Sequence, residues 1–337
     1  MQASERRIDI ELTNRCNALC SFCPREETPD QGFMSFETFR QAVARVKQLD
    51  ILPCISLTGQ GESTLHPELE EFVRYAKSEG MEVQMTTNGN LLSREMSIAL
   101  LDAGLDGVCF SCSDMDEDYE LVYNLDFERT RSNILDFLAI ADEITDREVE
   151  TMLSIVIHDL NRSKMRNIIQ YWKKAGIKTV LKFEQNNRGG ACDNGHYFTE
   201  SVQYETEARE LLAREKASTL CAAPFHFVFV GWNGQYYICC SDYKKTSPLG
   251  SVFDYSIDEM DTIKMRAFAD RLPACAACNY DPVNAVREKL FEIAAGESEQ
   301  EELDEIIHGF HTHNHALLPQ EIDILNWEDS LARRVSQ

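Results

Sequence analysis

Apolar and polar positions alternate with a period of two over Arg7–Leu12 (RIDIEL), which predicts a strand. Short apolar or β-branched runs recur at Cys54–Thr58, Met81–Met85, Gly107–Ser111, Thr151–Ile157 and Lys178–Phe183. Helical spacing fills the intervals, at Phe36–Leu49, Pro67–Ser78, Ser93–Leu101, Arg131–Ile144 and Ser163–Lys174. Three of these helices run out at a glycine (Gly80, Gly104, Gly176), where a left-handed residue turns the chain into the next strand. Strands alternating with helices predict parallel strands and right-handed crossovers. Six such strands fit an open partial barrel or a doubly wound sheet, and periodicity alone leaves both open.

The βα pattern breaks at Asn186–Gly195 (NNRGGACDNG). A helical run, Ser201–Lys216, follows. Then comes a cysteine-rich region over 221–278, containing two apolar runs around Trp232-Asn233-Gly234. Asn-Gly between such runs predicts a hairpin. From Gly296 the chain is acidic, and four of its eight histidines, His308, His311, His313 and His315, sit near the end. Their spacing matches no single helical face, so a solvated tail is expected there. The expected organisation is a barrel domain over 1–195, a second domain over 196–290 and a tail over 291–337.

The length of 337 residues allows about two domains. Lys+Arg 33 against Asp+Glu 57 gives a net charge of −24, which repels phosphate backbones and argues against nucleic acid as partner. No run approaches the roughly 20 apolar residues of a membrane span. The N-terminus, MQASERRIDIELTN, has no apolar signal core. A soluble cytoplasmic protein without a membrane partner is expected.

The twelve cysteines carry the chemistry. Without a signal peptide they read as metal ligands mixed with buried small side chains. Cys16-Asn-Ala-Leu-Cys20-Ser-Phe-Cys23 follows the first strand directly. Three thiolates cannot close a tetrahedral zinc site alone. They can hold three irons of a cubane cluster and leave the fourth open for reaction. Cys221, Cys239, Cys275 and Cys278 form two separated groups of thiolates that can close a second site, for zinc or for iron–sulfur.

CNALCSFC resembles the CxxxCxΦC signature of the radical S-adenosylmethionine (radical SAM) superfamily, with Phe22 as the aromatic position. Gly59-Gln60-Gly61-Glu62 is similar to that family's Gly-Gly-Glu segment, which meets the methionine amino group of the nucleotide. Thr87-Asn88-Gly89 and Ser111 stand where the family places further cofactor contacts, although the Asp of the usual Ser-x-Asp is replaced by Ser113, with Asp114 one place late. The resemblance covers roughly residues 7–190. It implies a partial (β/α)6 TIM-like barrel and a 4Fe–4S cluster on Cys16, Cys20 and Cys23. It also implies S-adenosylmethionine beside Phe22, Gly61, Glu62, Asn88 and Ser111. The later cysteines resemble the first half of a SPASM domain: Cys, a spacer, Gly-x4-Cys, then Cys-x2-Cys, with none after Cys278. That resembles the shortened twitch variant, with one auxiliary 4Fe–4S cluster on Cys221, Cys239, Cys275 and Cys278.

The resemblance implies that a 5′-deoxyadenosyl radical takes hydrogen from an unactivated substrate carbon. Around it stand candidates of smaller weight. Cys240 is either a buried strand thiol or a hydrogen donor to a substrate radical. Glu184 and Arg188, after the sixth strand, are either solvated charges or substrate contacts. Asp242 is a turn residue or a proton acceptor. Cys54, Cys109 and Cys112 are expected in the core, and Cys192 lies in the glycine-rich loop. The first cluster begins at Cys16, so no leader-binding domain is expected before the barrel. The expected reaction is dehydrogenation or epimerisation at a carbinol carbon of a sugar-like or cyclitol small molecule. The alternative is maturation of a peptide or protein. Flavodoxin or ferredoxin is the expected electron donor.

Overall fold

The computed structural model describes residues 7–49, 54–144, 147–184, 186–192, 198–217, 219, 221, 223–269 and 272–317. The chain divides into two compact units. One comprises Arg7–Gln185 with Phe229–Gln235; the other holds Asn186–Val228 and Tyr236–Gln337, together with Met1–Arg6.

In the first unit, strands β1 (Arg7–Ile10), β2 (Ile55–Leu57), β3 (Val83–Thr87), β4 (Gly107–Ser111), β5 (Glu150–Ile157) and β6 (Thr179–Glu184) pair in sequence order, every pair parallel. A doubly wound sheet needs a reversal of strand order. None occurs here, so right-handed crossovers carry all the helices to one side. The result is the partial barrel.

The register shows what each face is for. Ile8 opposes Ile55, which opposes Val83; Phe110 opposes Leu153. These side chains, with Ile10, Leu57, Met85, Val108 and Ile155, are fully buried on the helix-covered face. The other face carries Asp9 opposite Ser56 and Gln84, Thr86 opposite Cys109, and Ser111 opposite Ser154. Period-two alternation in the sequence is therefore an apolar outside and a polar inside. The three glycines expected to end helices do so, with φ of 85°, 102° and 112° at Gly80, Gly104 and Gly176.

In the first unit, the sequence pattern missed the helix Asp116–Tyr123. Its first turn is Asp116-Glu117-Asp118, where carboxylates suit the helix N-terminus, and it stops at Asn124 in the left-handed region. The Asn-Gly hairpin forms as expected between β7 (Phe227–Val230) and β8 (Gln235–Tyr237), with Gly231 N–H bonded to the Gln235 carbonyl at 2.9 Å. Its tip belongs to the first unit. There the Glu11 N–H donates to the Val230 carbonyl at 2.9 Å, and the Trp232 ring fills the space a Cβ at Gly32 would need.

The second unit begins at Asn186, before the boundary expected at 195. It also takes in residues 291–317 of the expected tail. Helices Glu205–Arg214, Pro282–Ala295 and Gln300–Leu317 share a core of Ala208, Leu212, Val283, Val286, Leu303 and Ile307. Glu301, Glu302, Asp304 and Glu305 are exposed on the last helix, while apolar positions four apart, Leu303 and Ile307, reach the core. His308 is exposed; the side chains of His311, His313 and His315 lie outside the described parts. Among the described residues, no helix is long and apolar enough to cross a membrane.

Candidate radical and auxiliary cluster sites

The first cysteine loop is an excursion from the carboxyl end of β1, closed by short bonds at its base. Thr13 Oγ1 donates to the Gly32 carbonyl at 2.6 Å, and Asn14 Nδ2 donates to the Asp30 carbonyl at 2.6 Å. The Met34 N–H returns to the Leu12 carbonyl at 2.7 Å. Within the excursion, Arg25 donates to the Cys16 carbonyl at 3.3 Å, and Cys23 N–H to the Cys20 carbonyl at 3.1 Å. The Leu19 and Ser21 N–H groups bond to the Tyr123 and Val122 carbonyls, both at 2.9 Å. The helix missed from the sequence thus anchors the loop between its thiols.

Burial raises the Cys16 thiol from its ordinary 9.0 to about 11, and nearby Glu62 and Cys23 raise it further. Burial also drives Cys20 well above its ordinary value, with Cys23 and Cys16 adding repulsion. Cys16 and Cys20 thus lie close enough to other thiols to form one donor set. Among the described residues, no three His, Cys, Asp or Glu side chains converge on one ion centre.

Gly61 crosses directly under this loop. A Cβ there would stand 2.4 Å from the Thr13 carbonyl oxygen and 2.5 Å from that of Arg15, so only glycine allows the approach. Glu62 is 2% exposed, and its N–H donates to the Arg15 carbonyl at 2.8 Å. Its Oε1 accepts from Thr64 Oγ1 and Thr87 Oγ1, both at 2.7 Å, and from the Thr64 N–H at 3.1 Å. Its Oε2 accepts from the Asn88 N–H at 2.7 Å. Asn88 Nδ2 donates to Asn17 Oδ1 in the cysteine loop at 2.9 Å. The segments after β1, β2 and β3 are therefore braced together. Ser111 is half-buried at the end of β4.

Phe22 is 9% exposed; its ring lies 5.7 Å from Tyr123, edge-on, and 5.8 Å from His158. Sequence reasoning missed what stands behind it. His158 follows β5 directly and meets Asp114 Oδ2 through Nε2 at 3.0 Å. Burial raises the Asp114 carboxyl, and the bond to His158 opposes that rise. Ser113 accepts from Tyr123 Oη and from the Val156 N–H, both at 2.9 Å. The usable signal was position: polar residues immediately past β4 and β5. Glu11 was missed likewise; fully buried, it accepts the Gln60 N–H at 2.9 Å.

The second unit gathers Cys221, Cys239, Cys275 and Cys278. Burial raises Cys221 first, and Cys278 and Cys275 repel its charge. Cys239 is raised well above its ordinary value by burial, then by Cys240, Cys278 and Cys221. Asn284, fully buried, donates Nδ2 to the carbonyls of Cys275 (3.3 Å), Ala276 (2.9 Å) and Cys278 (3.1 Å), which fixes the Cys-x2-Cys turn. Asp281 then caps the next helix by accepting the Asn284 N–H at 3.2 Å, ahead of Pro282 at the first position.

Cys240 departs from the expected buried strand thiol. β8 ends at Tyr237, so Cys239 and Cys240 lie in a turn and Cys240 is exposed. Asp242 is a turn residue: its Oδ1 accepts from the Thr246 N–H at 3.2 Å and its Oδ2 from the Ser247 N–H at 3.3 Å. Glu184 closes β6, in register with Ile157. Arg188 belongs to the second unit and starts a turn against the auxiliary cysteines. Cys109 and Cys112 are buried, and Cys54 and Cys192 are half-buried.

Residues 10–172 match the model of the radical SAM superfamily, and residues 221–279 match an iron–sulfur cluster-binding domain of SPASM type. The chain belongs to the radical SAM superfamily. Among curated relatives, a probable GTP 3′,8-cyclase of Sulfurisphaera tokodaii is 30% identical over 224 residues, 65% of this chain and 67% of that protein. The tungsten-containing aldehyde ferredoxin oxidoreductase cofactor-modifying protein of Pyrococcus furiosus is 26% identical over 175 residues, 51% of this chain and 49% of that protein. The chain spans about half the length of the first curated relatives it matches. Among solved structures, Streptococcus suis SuiB bound to precursor peptide SuiA gives a TM-score of 0.61 at 12% identity, over 83% of this chain and 70% of that one. BtrN in complex with AdoMet and 2-DOIA gives 0.51 at 17% identity, over 82% and 93%. These two show the fold. As a radical SAM protein with a SPASM-type domain, the chain uses a 4Fe–4S cluster, S-adenosylmethionine and auxiliary iron–sulfur. The two cysteine sets suit these groups in number and chemistry.

Proposed function

We propose that this radical SAM enzyme takes hydrogen from the carbinol carbon of a hydroxylated small molecule, sugar-like or cyclitol, and completes a dehydrogenation or an epimerisation. The observation that carries this reading is the inner face of the parallel sheet. Asp9, Ser56, Gln84, Thr86, Ser111 and Ser154 share that face, with Thr86, Ser111 and Ser154 only partly buried. Short hydroxyl and amide side chains suit a ligand that is itself rich in hydroxyls. The likeness to BtrN supports the same reading.

When bound, the open-iron cluster and S-adenosylmethionine supply the radical that removes the hydrogen atom. In our reading Cys16, Cys20 and Cys23 hold that cluster, and Phe22, Gly61, Glu62, Asn88 and Ser111 hold the nucleotide. Cys221, Cys239, Cys275 and Cys278 hold the auxiliary cluster, which suits a two-electron oxidation because it gives the second electron a destination. Exposed Cys240 is the hydrogen donor if the product is an epimer; Glu184 and Arg188 bind substrate. Reduction by a cytoplasmic flavodoxin or ferredoxin completes the scheme.

A second reading is maturation of a peptide. It is supported by the likeness to SuiB with its precursor peptide. A panel of carbinol-deuterated cyclitols and aminocyclitols separates the two. Our reading expects 5′-deoxyadenosine that carries deuterium, with one ketone or epimer per turnover. Deuterium transfer from α-deuterated peptides, with none from the panel, contradicts it.

A further inference from the structure

The segment that follows β6 is bound tightly to the auxiliary site. Asn187 is 3% exposed. Its Nδ2 donates to the Ala277 carbonyl at 2.6 Å, and its Oδ1 accepts the Asn279 N–H at 3.2 Å. Its own N–H donates to Asn279 Oδ1 at 3.2 Å. These bonds grip the residues on either side of Cys278.

The next three residues all take left-handed backbone, with φ of 49° at Arg188, 64° at Gly189 and 80° at Gly190. Left-handed backbone is strained at Arg188, which carries a side chain. Asn186 holds it by accepting the Arg188 N–H at 2.8 Å. The strained path brings the backbone very close to both cysteine loops. A Cβ on Gly189 would lie 2.7 Å from the Ser241 carbonyl oxygen, and one on Gly190 would lie 2.6 Å from Ala277 Cβ. Ser241 follows Cys239 and Cys240; Ala277 precedes Cys278. The Cys278 sulfur receives the Tyr280 N–H at 3.4 Å, one residue beyond the Asn279 that Asn187 grips.

We propose that Asn186–Gly190 is a strap that sets the reduction potential of the auxiliary cluster, with the Tyr280 N–H as donor to Cys278 and Asn187 as the positioning residue. Reduction by one electron adds negative charge to the cluster and its thiolate sulfurs. An N–H dipole aimed at a sulfur stabilises that state more than the oxidised one, so the donor raises the potential. Strain held by surrounding bonds has a use here: it brings the strap backbone against both cysteine loops, where a side chain would collide. The assignment holds whatever the substrate is.

The test uses the full chain carrying Cys16→Ala, Cys20→Ala and Cys23→Ala, so that only the auxiliary cluster is reconstituted. Its potential is read by titration with dithionite under electron paramagnetic resonance. Asn187→Ala and Asn279→Ala should each keep the iron and shift the midpoint to more negative values. An unchanged midpoint in both overturns the assignment. Where Asn187→Ala holds no iron, Asn279→Ala decides by the same shift, since it leaves the bond to Ala277 in place. Loss of iron from both variants overturns tuning in favour of a purely mechanical clamp.

Discussion

Glu62 gives the residue scale its clearest case. One buried carboxylate receives four donors from Thr64, Thr87 and Asn88. In Glu62→Gln, either amide orientation turns an NH2 group toward at least one N–H or hydroxyl. Apo-protein should lose about 1–3 kcal/mol, the usual result of leaving a buried polar group unsatisfied, measured by urea unfolding. The cluster thiols make a second prediction. Cys16 has a folded value of about 11 against an ordinary 9.0, so between these values the folded state binds more protons than the unfolded state. Apo-protein stability should therefore be full below pH 9 and fall as pH rises toward 11. Reconstituted protein should lack the fall attributable to these thiols, because its thiolates are already bound to iron. Urea midpoints across that range, with and without cluster, check both statements. The two cysteine groups were legible in the sequence because each gathers in one stretch of the chain, 16–23 and 221–278. Glu62's donors were not, since Thr87 is 25 residues away and only the register of β2 and β3 brings it near.

Among elements, the Cys-x2-Cys turn depends on the helix that follows it. Asn284 reaches back to three carbonyls of that turn from the first turn of Pro282–Ala295. Asn284→Ala should lower iron from about eight to about four per chain, given two 4Fe–4S clusters, while cleavage of S-adenosylmethionine persists. Equal loss from both sites would show that the helix start does not serve the auxiliary site alone. The strands and most helices were readable as periodicity, down to the three terminal glycines. Asp116–Tyr123 was hidden by its acidic start and its short length. The strap Asn186–Gly190 read as a broken pattern because its order comes from Ala277 and Asn279, about 90 residues away in the chain. The helix Gln300–Leu317 read as a tail because acidic residues outnumber the few that reach the core.

For the whole molecule, the net charge of −24 bears on how electrons arrive. If the electron donor is the flavodoxin or ferredoxin of our proposal and is itself acidic, it is repelled at long range, and salt screens that repulsion over about 10 Å at 0.1 M. Its reduction of the enzyme should quicken as ionic strength rises, read by stopped-flow bleaching of the clusters. Slowing with salt would place a basic docking patch within the acidic surface. The alternation of strands and helices was legible in the sequence, while the partial barrel and the two iron–sulfur clusters came from the family resemblance of the motifs. The substrate did not, because the polar inner face is assembled from every second residue of separate strands and carries no contiguous motif.

Anaerobic reconstitution with iron and sulfide, followed by dithionite and S-adenosylmethionine, tests the central claim most directly. The intact chain should hold about eight irons and release 5′-deoxyadenosine. The chain carrying Cys16→Ala, Cys20→Ala and Cys23→Ala should keep about four irons and release none. An intact chain that takes up only zinc, or iron-loaded protein that releases no 5′-deoxyadenosine, would contradict it.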